Sequence, residues 1–563
     1  MNEQPEVFAK SITFNDGSTF DFNESDIVVF TGANNAGKTQ VLKDIHQHFI
    51  TKEAKTKIIR FLGSDFRGNI EQFIENAKQN ENGAYWTGGT YNTRNNIKNF
   101  WNQQILPLGL SNMFINLLNT EQRLSSSNPS PSFDRRINVP SNPIQILYSD
   151  DRKEKEISDF FYTAFEKHLI VDRGGGNNIP LKVGDKPAID TSKGEDRVSR
   201  SYLDRLDMLP SLQEEGDGMR SFAAILLFTF TSNYTITLID EPEAFLHPPQ
   251  ARILGKMLAK NAPNRRQLFI STHSEDFLKG LLDADNENVK IIRIDRQENV
   301  NHMNILNNED IKTLWKDPIL RHSNILSGLF HSSVILCESD ADCRFYQAIM
   351  NLLYEGENKI SPDILFTHCG GKHRLKTMIK ALKSLNVKII IVADIDILND
   401  KTIFKEITDS ISIDWTILES QWNVIDNYVK SQRAQLCTAD VKKEIDIILN
   451  NITANYLSEK DIDGIKKILK HSTAWTKIKE AGKSFFAGDS YKSFNNIESI
   501  CSAKGLFIVP VGELEGFYKP NSNHGPKWVM EVLEKVDLRN DEELRNAREF
   551  VKRIIIFNAS AVK

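Results

Sequence analysis

The stretch Gly32-Ala33-Asn34-Asn35-Ala36-Gly37-Lys38-Thr39 constrains this chain more than any other, because it lies between a strand signal and a helix signal. The apolar run Ile27-Val28-Val29-Phe30 leads directly into it, and Lys38 to Ile50 follows with Val41, Leu42, Ile45 and Phe49 at helical spacing. Strand, glycine loop and helix in that order form a phosphate-binding turn. Backbone N–H groups close around phosphate oxygens, Lys38 neutralises terminal phosphate charge, and Thr39 can hold Mg²⁺. Gly32, Asn35, Gly37, Lys38, Thr39 and Gln40 are the expected ATP contacts. Just upstream, residues 7–22 alternate apolar and polar around Asn15-Asp16-Gly17-Ser18, a hairpin signal because Asp-Gly supplies the positive φ of a tight turn.

At 563 residues the chain exceeds what one hydrophobic core usually serves, so two large domains are expected. The net charge of −5 excludes a generally basic nucleic-acid coat and confines any DNA contact to a local patch. Cys337, Cys343, Cys369, Cys437 and Cys501 form no CxxC pair, which argues against a zinc site or a disulfide framework. No apolar run reaches membrane-spanning length and the N-terminus lacks a signal-peptide pattern, so a cytoplasmic protein is expected.

The buried-strand run Tyr234 to Ile239 ends in Asp240-Glu241-Pro242-Glu243. Asp240 is placed to hold Mg²⁺ through water or Thr39, and Glu241 to polarise the attacking water. A second strand, Gln267 to Thr272, ends at His273, a candidate γ-phosphate sensor. Upstream, Glu215-Gly216-Asp217-Gly218-Met219-Arg220-Ser221 precedes an apolar helix expected over Phe222 to Phe230, an anion-binding helix start. Loop, signature, acidic pair and histidine in this order resemble ABC-type ATPase heads. That resemblance implies a head-to-tail homodimer or higher oligomer, with Gly218 and Ser221 contacting ATP held by the neighbouring copy. Residues from about 64 to 200 read as an insertion, with Ser125 to Ser132 an exposed loop; the glutamine-containing loop of such heads has no place in the pattern. Arg173-Gly174-Gly175-Gly176 lacks a trailing Lys-Thr and reads as a turn.

Far downstream, three apolar runs end in carboxylates. Val334 to Cys337 precedes Glu338-Ser339-Asp340-Ala341-Asp342, Val387 to Ala393 precedes Asp394-Ile395-Asp396, and Leu506 to Val511 precedes Glu513-Leu514-Glu515. In a parallel sheet such ends converge on one edge. Gathered carboxylates repel one another unless a cation compensates, and hard oxygen ligands suit Mg²⁺ or Mn²⁺, which serve phosphodiester displacement. On the segment between the first two acids, Lys372, Lys376, Lys380 and Lys383 form one helical stripe and Leu375, Met378, Ile379, Leu382 and Leu385 another, so a lysine row beside the acids is expected to hold a phosphate backbone.

Glu338 followed by Asp394-x-Asp396 resembles the Toprim domain of topoisomerases, primases and certain nucleases, although Ser339 stands where glycine is common. An ABC-type head followed by a Toprim domain resembles the OLD (overcoming lysogenisation defect) family of ATP-dependent nucleases. The implied fold class is α/β: a P-loop ATPase head over residues 1–325, then a Rossmann-like Toprim domain over 326–563 with a helical insertion at about 399–504 that carries Trp415, Trp422 and Trp475. The resemblance implies that Glu338, Asp342, Asp394 and Asp396 are metal ligands, with Glu513 and Glu515 completing a second metal position and Lys527, or the nearby Lys519, assisting the chemistry. It also implies DNA as substrate, a role in antiphage defence, and as partner classes a helicase or a reverse transcriptase with its small nucleic acid. The alternative is an ATP-dependent clamp or sensor whose acidic domain does not cut. A topoisomerase would need a tyrosine nucleophile in a DNA-cleavage domain that the sequence does not show.

Overall fold

The computed structural model describes residues 4–52, 54–136, 139–321, 324–356, 360–432, 438–451, 456–469 and 474–560, so Cys437 lies outside the described residues. The chain forms two compact units, Met1–Arg321 and His322–Lys563. Among the described residues no helix is long and apolar enough to cross a membrane.

The first unit is built on a six-stranded sheet in the order Val300–Ile305, Val289–Gln297, Ile27–Gly32, Gln267–Ser271, Ile236–Asp240 and Ile115–Leu118. All neighbours are parallel except the Val289–Gln297/Val300–Ile305 pair. Ile27–Gly32 is buried along its whole length, as a central parallel strand covered on both faces must be. Lys38–Ile50 packs over it through Val41, Leu42, Ile45 and Phe49. The expected hairpin is present as Glu6–Phe14 and Thr19–Asp21, and Ile59–Arg67 extends it to three antiparallel strands. The strand Ile115–Leu118 falls inside the stretch read as an insertion, yet it forms an edge of the central sheet against Ile236–Asp240. Only four residues long, it offers too little periodicity to separate it from its irregular surroundings.

The second unit centres on a four-stranded parallel sheet in the order Ile364–His368, Ser333–Cys337, Ile389–Ala393 and Leu506–Ile508. The three strands that end in acids are therefore adjacent. Ile364–His368 is an edge strand without a counterpart in the sequence reading, because it is only partly buried and its pattern is weak. The stretch 399–504 is helical throughout its described ordered elements, from Lys401–Ser410 to Gly488–Ser502. Trp415 and Trp422 are buried there, with ring centroids 6.4 Å apart, and serve as packing.

Candidate functional site

In the first unit the phosphate loop leaves the central strand at Gly32, whose φ of 142° and position 2.3 Å (from a would-be Cβ) from the Ile294 carbonyl oxygen exclude any side chain. Asn35 (φ 62°) and Gly37 (φ 105°) complete the turn. Lys38 is buried, and its ammonium donates to the carbonyls of Gly32 (2.9 Å) and Ala33 (3.0 Å), folded across its own loop. Thr39 Oγ1 donates to Asp240 Oδ1 at 2.8 Å, and Ser271 Oγ donates to the same oxygen. The acid at the end of one strand is thus tied to the loop threonine, the pair expected to share Mg²⁺. Gln40 donates from Nε2 to Asp44 Oδ1 (2.7 Å), an interaction within its own helix.

Glu241 has a φ of 49°, a strained backbone for a non-glycine residue, of the kind that costs on the order of 1–3 kcal/mol and persists only where its surroundings hold it. Arg123 does the holding. Fully buried, its guanidinium donates to the carbonyls of Asp240 and Glu241 (3.0 Å to the latter), to Leu118 O at 3.2 Å, and through Nε to Ser221 Oγ at 2.8 Å. Burial pulls the Arg123 guanidinium below its ordinary value, opposed by the charges of Asp240, Glu243 and Glu241. His273 Nδ1 stands 3.4 Å from Glu241 Oε1 and 3.2 Å from Glu243 Oε1. Glu243 also accepts from Thr272 Oγ1 and the His273 N–H, both at 2.9 Å, and its burial raises its carboxyl above the usual range. The sequence assigns no role to Arg123, and Glu243 stands there only as the end of the acidic run. Nothing marks an arginine in a serine-rich stretch until the fold brings it beneath the acidic pair.

The signature segment needs correction. Its helix begins at Asp217, not Phe222, so Ser221 lies within the helix and is completely buried against Arg123. Its hydroxyl therefore faces Arg123 and not the exposed helix start that the sequence suggests. The exposed start of the helix is Gly216 and Asp217, with Gly218 half-buried beside them. The helix passes into a wider turn at Leu227–Thr231. Arg173 in the Arg-Gly-Gly-Gly turn pairs with Asp151 and with Glu154 at 2.8 Å, so this segment is a salt-bridged loop.

In the second unit one carboxylate oxygen each from Glu338, Asp394 and Asp396 lies within 4.8 Å of the others, and the same holds for Glu513, Glu515 and His524 Nδ1 or Nε2. Glu338 Oε1 accepts from the Asp394 N–H at 3.1 Å, which fixes two strand ends to each other. Burial raises the Glu338 carboxyl to about 7; the Asp394 N–H and Lys372 oppose, while Asp396 and Asp342 add to it. Asp394 is held well above the carboxylate range by burial and by Glu338 and Asp342. Asp342 is close enough to act on both; its own Oδ2 accepts from the Ser339 N–H (2.8 Å) and Oγ (3.0 Å), and it stands outside both groups of gathered ligand atoms. Ser339 here does what glycine cannot, anchoring that acid through its hydroxyl.

Two lysines enter this cluster. Lys372 Nζ lies 3.1 Å from Asp396 Oδ2, and Lys479 Nζ lies 3.9, 3.4 and 3.2 Å from Asp394 Oδ2, Asp396 Oδ2 and Glu513 Oε2. Burial pulls the Lys479 ammonium down, but Asp396, Asp394 and Glu513 outweigh it and leave it above the ordinary lysine value. Lys527 is exposed in the first turn of the helix Pro526–Lys535 and, among the described residues, pairs with none of these acids. The expected lysine row is also reduced: Lys372 turns to Asp396 and Lys376 pairs with Glu406 at 2.6 Å, leaving Lys380 and Lys383 exposed. His524 and Lys479 escaped the sequence reading, one in a polar loop after Glu515, the other in a mixed-charge helix.

Residues 27–278 match the AAA_21 family, an AAA domain whose description also names the AbiEii toxin of a type IV TA system, and residues 329–396 match the "Overcoming lysogenization defect protein-like, TOPRIM domain". The chain therefore has the architecture of the OLD family, an AAA-type ATPase domain followed by an OLD-like TOPRIM domain. Among curated proteins it is similar to the Old nuclease of Escherichia phage P2, 27% identical over 172 residues, spanning 30% of this chain and 28% of that protein. The chain thus matches under a third of that relative's length. Among solved structures it is similar to the Smc head domain with an extended coiled coil bound to the C-terminal domain of ScpA from Pyrococcus furiosus (14% identity, 56% of this chain and 99% of that one, TM-score 0.32). It is also similar to the SMC head domain from Thermotoga maritima (10% identity, 54% and 100%, TM-score 0.29).

Proposed function

We propose that the chain is a metal-dependent DNA endonuclease whose cutting is controlled by ATP binding or hydrolysis in the first unit. The observation that carries this reading is the meeting of Glu338, Asp394 and Asp396 from adjacent strand ends, with Glu513, Glu515 and His524 as a second group on the next strand end and the loop after it. Their carboxylate oxygens are hard donors of the kind Mg²⁺ and Mn²⁺ take, and the buried acids, raised in pKa while uncompensated, fit a cation. A divalent metal held there supplies Lewis-acid stabilisation of phosphate charge and a more acidic bound water. The chain's own residues do the rest. Lys380 and Lys383 offer phosphate contacts, and Lys527 offers a further cation from the helix after His524.

In the first unit Lys38 would exchange its loop carbonyls for ATP phosphate oxygens, Thr39 and Asp240 would share Mg²⁺, and Glu241 with His273 would face the attacking water. The helix start, with Gly216 and Asp217 exposed and Gly218 half-buried, is the part of this segment open to a second copy's nucleotide in a homodimer. The OLD architecture supports antiphage defence as the setting; a helicase or reverse transcriptase partner rests on that resemblance alone. One observation favours the clamp reading instead: Lys372 and Lys479 already balance acid charge within the cluster. Nicking of supercoiled plasmid by the intact protein in Mg²⁺ or Mn²⁺, lost in Asp394→Ala and in chelator, supports the nuclease. Equal cleavage by Asp394→Ala, with contaminating nuclease excluded, rejects this site, and metal-stimulated DNA binding without cleavage favours the clamp.

A further inference from the structure

Lys479 reaches the acids by a built approach. Its helix, Ala474–Ala481, packs against both turns that carry them, Ile395–Asn399 and Leu514–Phe517. The backbone there comes so close that a Cβ on Gly512 would lie 1.8 Å from the Lys479 carbonyl oxygen, and one on Gly482 would lie 2.4 Å from the Pro510 carbonyl oxygen. Both glycines have positive φ (109° and 63°), so chain direction and clearance alike require glycine. The Lys483 N–H then donates to Pro510 O at 2.8 Å, closing the junction. The consequence is an ammonium between the two ligand groups, touching Asp394 and Asp396 of one and Glu513 of the other.

We propose that Lys479 is a tethered counter-cation that competes with divalent metal for these carboxylates, so that the helical insertion sets how readily the site loads. This rests on the metal-site reading above. A dication entering beside a fixed ammonium meets like-charge repulsion and must share or displace its oxygen partners, whereas a lysine serving only to pack the helix would leave metal affinity unchanged.

The test is Mn²⁺ binding to the full-length, DNA-free protein, followed by electron paramagnetic resonance and calorimetry. Lys479→Met keeps the apolar stem and removes the charge, and should tighten Mn²⁺ binding by about tenfold or more. Lys479→Arg keeps the charge and should bind no more tightly than the parent. Circular dichroism and the ATPase rate of each variant report whether the chain is folded. Parent-like or weaker Mn²⁺ binding by a folded Lys479→Met protein overturns the competition while leaving the metal site standing. Mn²⁺ binding that is absent from the parent, or unaffected by Asp394→Ala, removes the metal-site reading and this inference with it.

Discussion

The two units handle charge at their strand ends in opposite ways. In the first, the key groups are satisfied internally: Lys38 by its own loop carbonyls, Asp240 by Thr39 and Ser271, and the turn at Glu241 by Arg123. In the second, burial and then the neighbouring acids make Glu338 and Asp394 resist ionisation, and partial relief comes from Lys372 and Lys479, which lie outside the strand-end motifs. A hydrogen-bonded site is poised to exchange partners with a ligand of similar geometry. A buried site whose like charge is only partly relieved is poised to take up a cation.

The sharpest way to break this contrast is to disable each site and read the other. Lys38→Ala should lower ATP hydrolysis by at least roughly a hundredfold while Mn²⁺ affinity stays at the parent value; Asp394→Ala should do the reverse, lowering cleavage by a similar factor with the ATPase rate intact. Loss of both activities in either variant would mean that the sites are not separable. Arg123→Met should come next in size. It leaves the Asp240 and Glu241 carbonyls and Ser221 without a buried donor, which costs about 3 kcal/mol and lowers the first unit's calorimetric transition, whereas an unchanged transition would show that water replaces the guanidinium.

A pH titration probes the second unit. Because the folded Glu338 carboxyl is raised from 4.5 to about 7, the folded state binds the proton more tightly than the unfolded chain, so this group's contribution to stability is fully present below pH 4.5 and is lost as pH rises through about 7. In chelator the second unit's melting temperature should fall from about pH 5 toward about pH 8, and Mg²⁺ should restore it at the upper end. A flat profile would remove the strained-acid side of the comparison. The smallest effect belongs to the outer lysines: Lys380→Gln should reduce the salt dependence of DNA binding by roughly one unit of slope, and Lys376→Gln by less, since Glu406 already engages it.

The sequence by itself determined the phosphate loop, the acidic pair and the three acid-bearing strand ends, because each is a contiguous run in which strand pattern, glycine and charge occur within a few residues. Val41, Leu42, Ile45 and Phe49 likewise announce their buried face through local spacing. Ser221 shows where such reading stops: glycine and serine suggested an exposed helix start, but helix phase, set by packing against Arg123, turned that hydroxyl inward. Arg123, Glu243, Lys479 and His524 obtained their roles only from tertiary structure. Arg123, Glu243 and Lys479 act on partners far away in sequence that strand order and close backbone approach bring within reach, His524 is turned back onto Glu513 and Glu515 by the fold of its own loop, and the field that makes a lysine a counter-cation exists only after the acids have been gathered.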